Sequence, residues 1–149
     1  MRRIQYLFIA IGLLLLASAP ALAVTTSETY PTTCSVDTSV GVKGWSNANR
    51  ALEADSSFST ADLRVSSGAV SNYLRCTGFG FSIPPSASIT AITLDVTRKA
   101  SGADVEDNSI KGLLGGVISG SSVATSNDWP TSAATVSYDL LAGLGGTVT

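Results

Sequence analysis

An alternating stretch in the second half of the chain constrains the fold more than any other feature. Residues 89–98 read ITAITLDVTR, and Ile92, Leu94 and Val96 are separated there by threonine and aspartate. Successive side chains of a β-strand point to opposite faces of a sheet, so the apolar residues share one face and the polar residues the other. The stretch therefore predicts a strand of an antiparallel sheet with one face on a core and one in water.

Shorter stretches of the same kind occur along the chain and are separated by turn residues. They lie at 34–42, 63–65, 73–83, 110–118 and 135–138, and Gly115-Gly116 suits a tight hairpin turn. Residues 48–54 have good helix formers, enough for one or two helical turns. Short strands with frequent turns predict an all-β protein, an antiparallel β-sandwich of jelly-roll or immunoglobulin-like type.

The N-terminus has the features of a signal peptide. Arg2 and Arg3 precede the apolar run 4–17, and Ala21-Leu22-Ala23 is a small-x-small cleavage pattern. The run is shorter than the roughly 20 residues that a spanning helix needs, although an uncleaved N-terminal anchor is the alternative. We expect cleavage after Ala23 and a secreted protein, extracellular or periplasmic, with no membrane attachment afterwards. The predicted organisation is signal peptide 1–23, flexible lead-in 24–33 and one β-sandwich domain 34–149.

The charge of the exported part excludes two classes of partner. Without Arg2 and Arg3, the nine basic residues of the chain fall to seven against eleven acidic ones, a formal charge of −4. Nucleic-acid binders carry a basic surface that displaces counterions from phosphate, and proteins that dock on anionic membranes need one as well. The sequence therefore predicts no nucleic-acid partner and no membrane partner.

The chain has two cysteines, Cys34 and Cys76, both beyond the signal peptide. In an oxidising compartment, a pair without a third competitor is expected to form a disulfide. Two separate buried thiols that pack as small apolar side chains are the alternative.

Several motifs resemble those of a known class of β module. They begin with Trp45-Ser-Asn-Ala and Phe79-Gly-Phe-Ser-Ile-Pro84, continue with the pattern AxIxxIxLxVxRK over 87–99, and extend through Trp129-Pro130 and Val136-Ser-Tyr138. From Trp45 onward the chain is similar to β-sandwich modules of bacteriophage virion proteins and secreted bacterial surface proteins. The resemblance implies a structural or attachment role and carries no catalytic residue.

The resemblance also implies which residues form the core and how the domain ends. We expect core positions at Phe79, Phe81, Ile83, Ile92, Leu94 and Val96, a strand stop at Pro84-Pro85, and a solvated strand end at Arg98-Lys99. Similar modules continue beyond the position of Thr149 and have a tryptophan where this chain has Ala142-Gly-Leu144. We therefore expect a missing C-terminal strand and an open sheet edge that another protein chain could complete.

The chemistry-bearing residues predict no enzyme. The absence of histidine removes the Ser-His-Asp triad and histidine-containing zinc sites, and no phosphate-binding glycine motif precedes a helix. Asp104, Glu106 and Asp107 form a candidate Ca²⁺ site, since this ion prefers carboxylate and amide oxygens. A solvated acidic turn is the alternative.

Three aromatic residues are candidates for ligand binding. Trp45, Trp129 and Tyr138 could stack on the faces of a surface glycan. The alternative is that the tryptophans cap the ends of a sandwich, since each lies beside a turn residue. The sequence thus favours a non-catalytic structural or adhesive module, with a carbohydrate-binding module, either with or without calcium, as the second hypothesis.

Overall fold

The computed structural model describes residues 25–64, 68–85, 87–102 and 104–146. The predicted signal peptide, 1–23, and the end of the predicted domain, 147–149, lie outside these residues, as does Val65 of the predicted strand 63–65.

The described part of the chain is all-β, with almost no helix, as the sequence predicted. Its strands are β1 (Thr33–Asp37), β2 (Tyr73–Thr77), β3 (Thr93–Arg98), β4 (Gly112–Leu114), β5 (Val117–Ser119) and β6 (Ala134–Asp139). The helical elements are a 3₁₀ turn at Ala48–Ala51, within the predicted 48–54 segment, and a one-turn helix α1 at Leu140–Gly143. No helix among these residues is long and apolar enough to cross a membrane.

The six strands form three antiparallel ribbons of two strands each: β1–β2, β3–β6 and β4–β5. In the first ribbon Cys34 lies directly opposite Cys76, and the two form the predicted disulfide. In the hairpin β4–β5, Gly115 and Gly116 both have positive φ, 56° and 82°, which confirms the predicted tight turn.

The ribbon β3–β6 confirms the alternation at the centre of the sequence argument. Leu94 and Val96 are half-buried on its inner face, opposite Tyr138 and Val136, whereas Thr93, Asp95 and Thr97 are exposed on the outer face. On that outer face Thr97 and Thr135 are joined by a hydroxyl–hydroxyl hydrogen bond of 2.7 Å. Cross-strand pairs of this kind stabilise a two-stranded sheet in water.

The expectation of a solvated strand end holds for Lys99, which is exposed, but is wrong for Arg98. Arg98 is only 4% exposed, although it is the last residue of β3. The strand keeps its period of two to that residue, so the arginine side chain shares the inner face with Leu94 and Val96.

The expectation of core positions is also wrong for Phe81 and Ile83. Strand β2 ends at Thr77, and Gly78 and Gly80 then take positive φ of 77° and 69°, which turns the backbone away from the sheet. Phe81 is 47% exposed, and Ile83 is exposed as well. Phe79 is half-buried and its ring stacks on that of Phe81, with centroids 6.1 Å apart.

Three of the four most buried side chains belong to the β3–β6 ribbon or to α1, and the fourth, Asn72, donates from its amide to the carbonyl of Val40 at 2.7 Å. Among the described residues, Tyr138 of β6 and Leu141 of α1 are the buried apolar side chains, and Arg98 and Asn72 are the buried polar ones. Asp139 caps α1, because its carboxylate accepts a hydrogen bond of 3.1 Å from the backbone N–H of Ala142. The interior is thus partly polar and is formed by side chains of β3 and β6 together with neighbouring loops.

Candidate functional site

The carboxylate of Asp107 is the centre of the largest polar network in the described structure. It accepts hydrogen bonds from the guanidinium of Arg98, from Tyr138 Oη at 2.8 Å and from Trp129 Nε1 at 2.9 Å. Thr125 donates from its hydroxyl at 3.1 Å and from its backbone N–H at 3.3 Å. These five residues, Arg98, Asp107, Thr125, Trp129 and Tyr138, are called the polar cluster below.

The polar cluster joins two loops to one ribbon. Arg98 and Tyr138 come from β3 and β6, Asp107 from the connection between β3 and β4, and Thr125 and Trp129 from the connection between β5 and β6. Backbone hydrogen bonds fix the loops to each other, since the N–H of Trp129 donates to the carbonyl of Val105 at 2.6 Å. The cluster therefore anchors two long connections on the inner face of β3–β6.

Arg98 is held by charge, hydrogen bonds and aromatic rings together. Its Nη1 donates to Asp107 and to Tyr138 Oη, and its guanidinium carbon lies 5.3 Å from the centroid of the Trp129 ring and 5.8 Å from that of Tyr138. Cations over aromatic faces at such distances are attracted by the ring quadrupole. Its Nε is buried without a hydrogen-bond partner, a cost that the other contacts of the side chain offset.

The environment of the cluster lowers the pKa of Asp107 and raises that of Tyr138. Burial by itself would raise the pKa of Asp107, but the hydrogen bonds from Arg98, Tyr138, Trp129 and Thr125 outweigh it and lower that pKa below its ordinary value. The pKa of Tyr138 is raised, first by burial and then by its hydrogen bond to the negative Asp107. Asp107 is therefore ionised and Tyr138 neutral at physiological pH, which suits a permanent donor–acceptor pair.

The arrangement uses up the capacity of Asp107 to bind a ligand. A carboxylate has about four lone-pair sites, and five donors from this chain already occupy those of Asp107. The cluster thus acts in the structure as a polar support for the loops.

The three residues of the predicted Ca²⁺ site do not converge on a common point. Asp104 and Glu106 are exposed, whereas the side chain of Asp107 is buried in the polar cluster. Among residues 25–146, apart from the undescribed positions, no group of three or more Asp, Glu, Cys or His side chains could hold a metal ion. Asp104 and Glu106 instead line a half-open cavity of about 270 Å³ together with Asn108, Leu63 and Val70.

The three predicted aromatic ligand residues are engaged within the protein. Tyr138 is 3% exposed, so the expectation that its ring stacks on a sugar is wrong. Trp129 and Trp45 are half-buried. The indole of Trp129 donates to Asp107, and that of Trp45 donates to the carbonyl of Asn72 at 2.7 Å. Both tryptophans thus fasten loops, in agreement with the alternative that they cap the fold.

Sequence reasoning did not find Arg98 and Thr125 as members of the cluster. For Arg98 a signal was present, because its spacing from Leu94 and Val96 already places it on the apolar face of the strand. For Thr125 the sequence contains no such signal, because nothing distinguishes this threonine from others in polar loops. The pairing of Asp107 with a residue nine positions earlier depends on the path of the loop between them.

Comparisons with protein-family models, with curated proteins and with solved structures found no match to this chain.

Proposed function

We propose that this chain is a secreted, non-catalytic β module with a structural or adhesive role, at the cell surface or in an extracellular or virion-like assembly. The observation that carries the proposal is the polar cluster. Its charged and aromatic side chains are of the kinds that often bind ligands, yet they bond to one another and hold two loops on the β3–β6 ribbon. The Cys34–Cys76 disulfide agrees with folding in an oxidising compartment.

The proposal includes an antiparallel β-sandwich, of jelly-roll or immunoglobulin-like type, as the complete fold. Its support is the one-sided burial of β3 and β6, in which the inner face is covered and the outer face is polar. One-sided burial of this kind is what an antiparallel sheet has when its inner face packs on a second layer.

A second protein chain is the proposed partner. Seven large apolar side chains are exposed among the described residues: Tyr30, Val36, Val42, Phe81, Ile83, Leu114 and Val117. In the same part of the chain every ribbon has only two strands, so each strand has one edge without a neighbouring strand. Apolar surface next to open edges is what strand addition from another chain covers.

Location and ligand binding together test the proposed role. The full chain is expressed in a bacterium with an epitope tag after residue 149, and its processing and location are followed. The purified protein is then applied to a glycan array with and without Ca²⁺. We expect cleavage near Ala23, retention in an extracellular or surface fraction, and no glycan bound under either condition.

The carbohydrate-binding hypothesis makes the opposite prediction for the array. Specific glycan binding that is lost in Trp129→Phe, which keeps a ring but removes the indole N–H, or in Trp45→Phe would replace the structural role. Because a Trp129 variant also weakens the polar cluster, its cooperative thermal unfolding is measured in parallel. Retention of the tagged chain inside the cell would contradict the proposed export.

A further inference from the structure

We propose that the half-open cavity between Leu63 and residues 68–70 on one side and residues 104–108 on the other binds a lysine side chain of the partner protein chain. The inference deepens the proposed function, on which it rests, by naming a contact through which that partner is recognised. The cavity measures about 270 Å³, and its two walls differ in chemistry. The apolar wall contains Leu63, Ala69 and Val70, all half-buried, and the acidic wall contains Asp104, Glu106 and Asn108, all exposed.

Hydrogen bonds to other segments hold both walls in place. In the apolar wall, the carbonyl of Val70 accepts a hydrogen bond of 2.9 Å from the backbone N–H of Val42. Beside the acidic wall, the carbonyl of Val105 accepts one of 2.6 Å from the backbone N–H of Trp129, and Asp107 is fixed in the polar cluster. The cavity is therefore formed in the protein alone, as binding sites for small groups usually are.

The two carboxylates of the acidic wall are not neutralised by the described part of the chain. Of the ion pairs among these residues, one lies in the polar cluster and the other joins Arg64 to Asp62 at 2.9 Å, so neither includes Asp104 or Glu106. A cleft that is lined by charges of one sign next to an apolar wall concentrates the electric field and attracts ions of the opposite sign. The cavity therefore favours a cation.

The combination of an apolar and an acidic wall fits a lysine side chain better than other cations. The aliphatic stem of lysine covers apolar surface while its ammonium stays beside carboxylates and water. The ammonium has three donors, and each side chain of the acidic wall has an oxygen that accepts. Arginine prefers a bidentate carboxylate or an aromatic face, and no described aromatic residue lines the cavity. A hydrated metal ion would gain nothing from the apolar wall.

The charge of the exported part also complements a partner that presents a lysine. Beyond the predicted cleavage site, acidic side chains outnumber basic ones. Opposite charges on two protein surfaces speed their association and fix their relative orientation. Because Asp104 and Glu106 are exposed, their contact with an ammonium is partly screened by water. The contact therefore selects and orients the partner more than it strengthens the complex.

A capped lysine, the N-acetyl methylamide, tests the chemistry of the cavity. It is titrated to about 50 mM into the isotope-labelled chain, exported with its own leader and purified without reductant, and backbone amide shifts are followed by NMR. We expect saturable shifts at residues of both walls and a Kd of the order of millimolar, since one side chain supplies little binding free energy. The corresponding norleucine compound keeps the stem without the ammonium and should bind at least about fivefold more weakly.

Matched variants test the position of the ammonium. Glu106→Gln removes one charge from the acidic wall with little change of shape and should weaken binding of the capped lysine by about three- to tenfold. Glu53→Gln makes the same change at an exposed glutamate that does not line the cavity, and should leave binding unchanged. Leu63→Ala shortens the apolar wall and should weaken the lysine and norleucine compounds alike. Thermal unfolding of each variant shows whether it has folded.

Four results would overturn the inference. The first three are no localised shifts at the highest concentration of capped lysine, equal binding of the lysine and norleucine compounds, and equal weakening by Glu106→Gln and Glu53→Gln. The fourth is binding of cadaverine, a free diamine, without binding of the capped lysine, which would assign the cavity to a small amine instead of a protein. Each would remove the lysine contact and leave the export and glycan results, which test the proposed role, unaffected.

Discussion

Arg98 and Asp107 form an ion pair in which each side chain is only 3% exposed. Removing two charges from water is costly, and additional hydrogen bonds to the paired groups offset part of that cost. Here Tyr138, Trp129 and Thr125 supply donors to the carboxylate. The pair matters to this fold because its two residues belong to different segments, so the ribbon and the loop must come together for either charge to be compensated.

Replacing Arg98 with methionine should be strongly destabilising. Methionine replaces the aliphatic part of the arginine side chain but removes the guanidinium. The charge of Asp107 is then buried without its cation. Removal of one partner from a buried pair costs roughly 3–5 kcal/mol. We expect the free energy of unfolding in urea to fall by that order.

The neighbouring residue gives the control. Lys99 is exposed, with its ammonium 4.5 Å from the Phe58 ring, so Lys99→Met should cost less than about 1 kcal/mol. Similar losses for the two variants would mean that the ion pair does not stabilise the fold as described.

The ionisation of Asp107 should make the stability of the folded protein depend on pH in the acidic range. Its pKa is lower in the folded protein than the ordinary value near 3.9. The folded state therefore gains stability above that ordinary value and loses it as pH falls toward the lowered pKa. Thermal unfolding from pH 7 to pH 2 should show a midpoint that drops below about pH 4. In Asp107→Asn the midpoint should be lower at pH 7 and should depend less on acid.

Asp62 is the control that separates the acid dependence due to the buried Asp107 from that of an exposed ion pair. Its hydrogen bonds with Arg64 lower its pKa to about 2, but both side chains are largely exposed. Water and salt screen such a pair, so Asp62→Asn should leave the acid profile almost unchanged. An acid profile that Asp107→Asn does not alter would mean that other groups control the transition.

The sequence was informative where a feature depends on local periodicity. The inner face of β3, the hairpin turn at Gly115-Gly116 and the pairing of two lone cysteines follow from local geometry or from simple chemistry, and all are present. The same periodicity would also have placed Arg98 inside, but a charged side chain at a strand end was assigned to solvent by its type.

Other features depend on distant parts of the chain and could not be predicted in this way. Phe81 is exposed because two glycines with positive φ turn the backbone before it, and sequence does not reveal the sign of φ. The inward direction of Asp107 requires donors from β3, β6 and the 125–129 loop at once. Those hydrogen bonds to Asp107 form only when the strands and the loop have come together.

Removing the disulfide should destabilise the protein mainly through its unfolded state. The Cys34–Cys76 bridge closes a loop with a sequence separation of 42, for which the chain-entropy relation gives about 4 kcal/mol. We expect the Cys34→Ala/Cys76→Ala double variant to lose that order of unfolding free energy in urea. Reduction of the unmodified protein should produce a loss of the same size, and a change below about 1 kcal/mol would show that β1 and β2 pair equally well without it.

Alanine substitutions at Gly41 and Gly80 distinguish the effect of backbone strain from that of close packing. Both have positive φ, 67° and 69°, so alanine at either position incurs the left-handed penalty of roughly 1–2 kcal/mol. A Cβ at Gly80 would meet open space, whereas one at Gly41 would lie 2.1 Å from the backbone carbonyl oxygen of Ser71. That carbonyl belongs to the segment that contacts 42–43 through backbone hydrogen bonds, so it cannot yield without breaking them. Urea unfolding should therefore show a clearly larger loss for Gly41→Ala than for Gly80→Ala. Equal losses would mean that the 41–43 and 70–72 segments do not lie against each other in the folded protein.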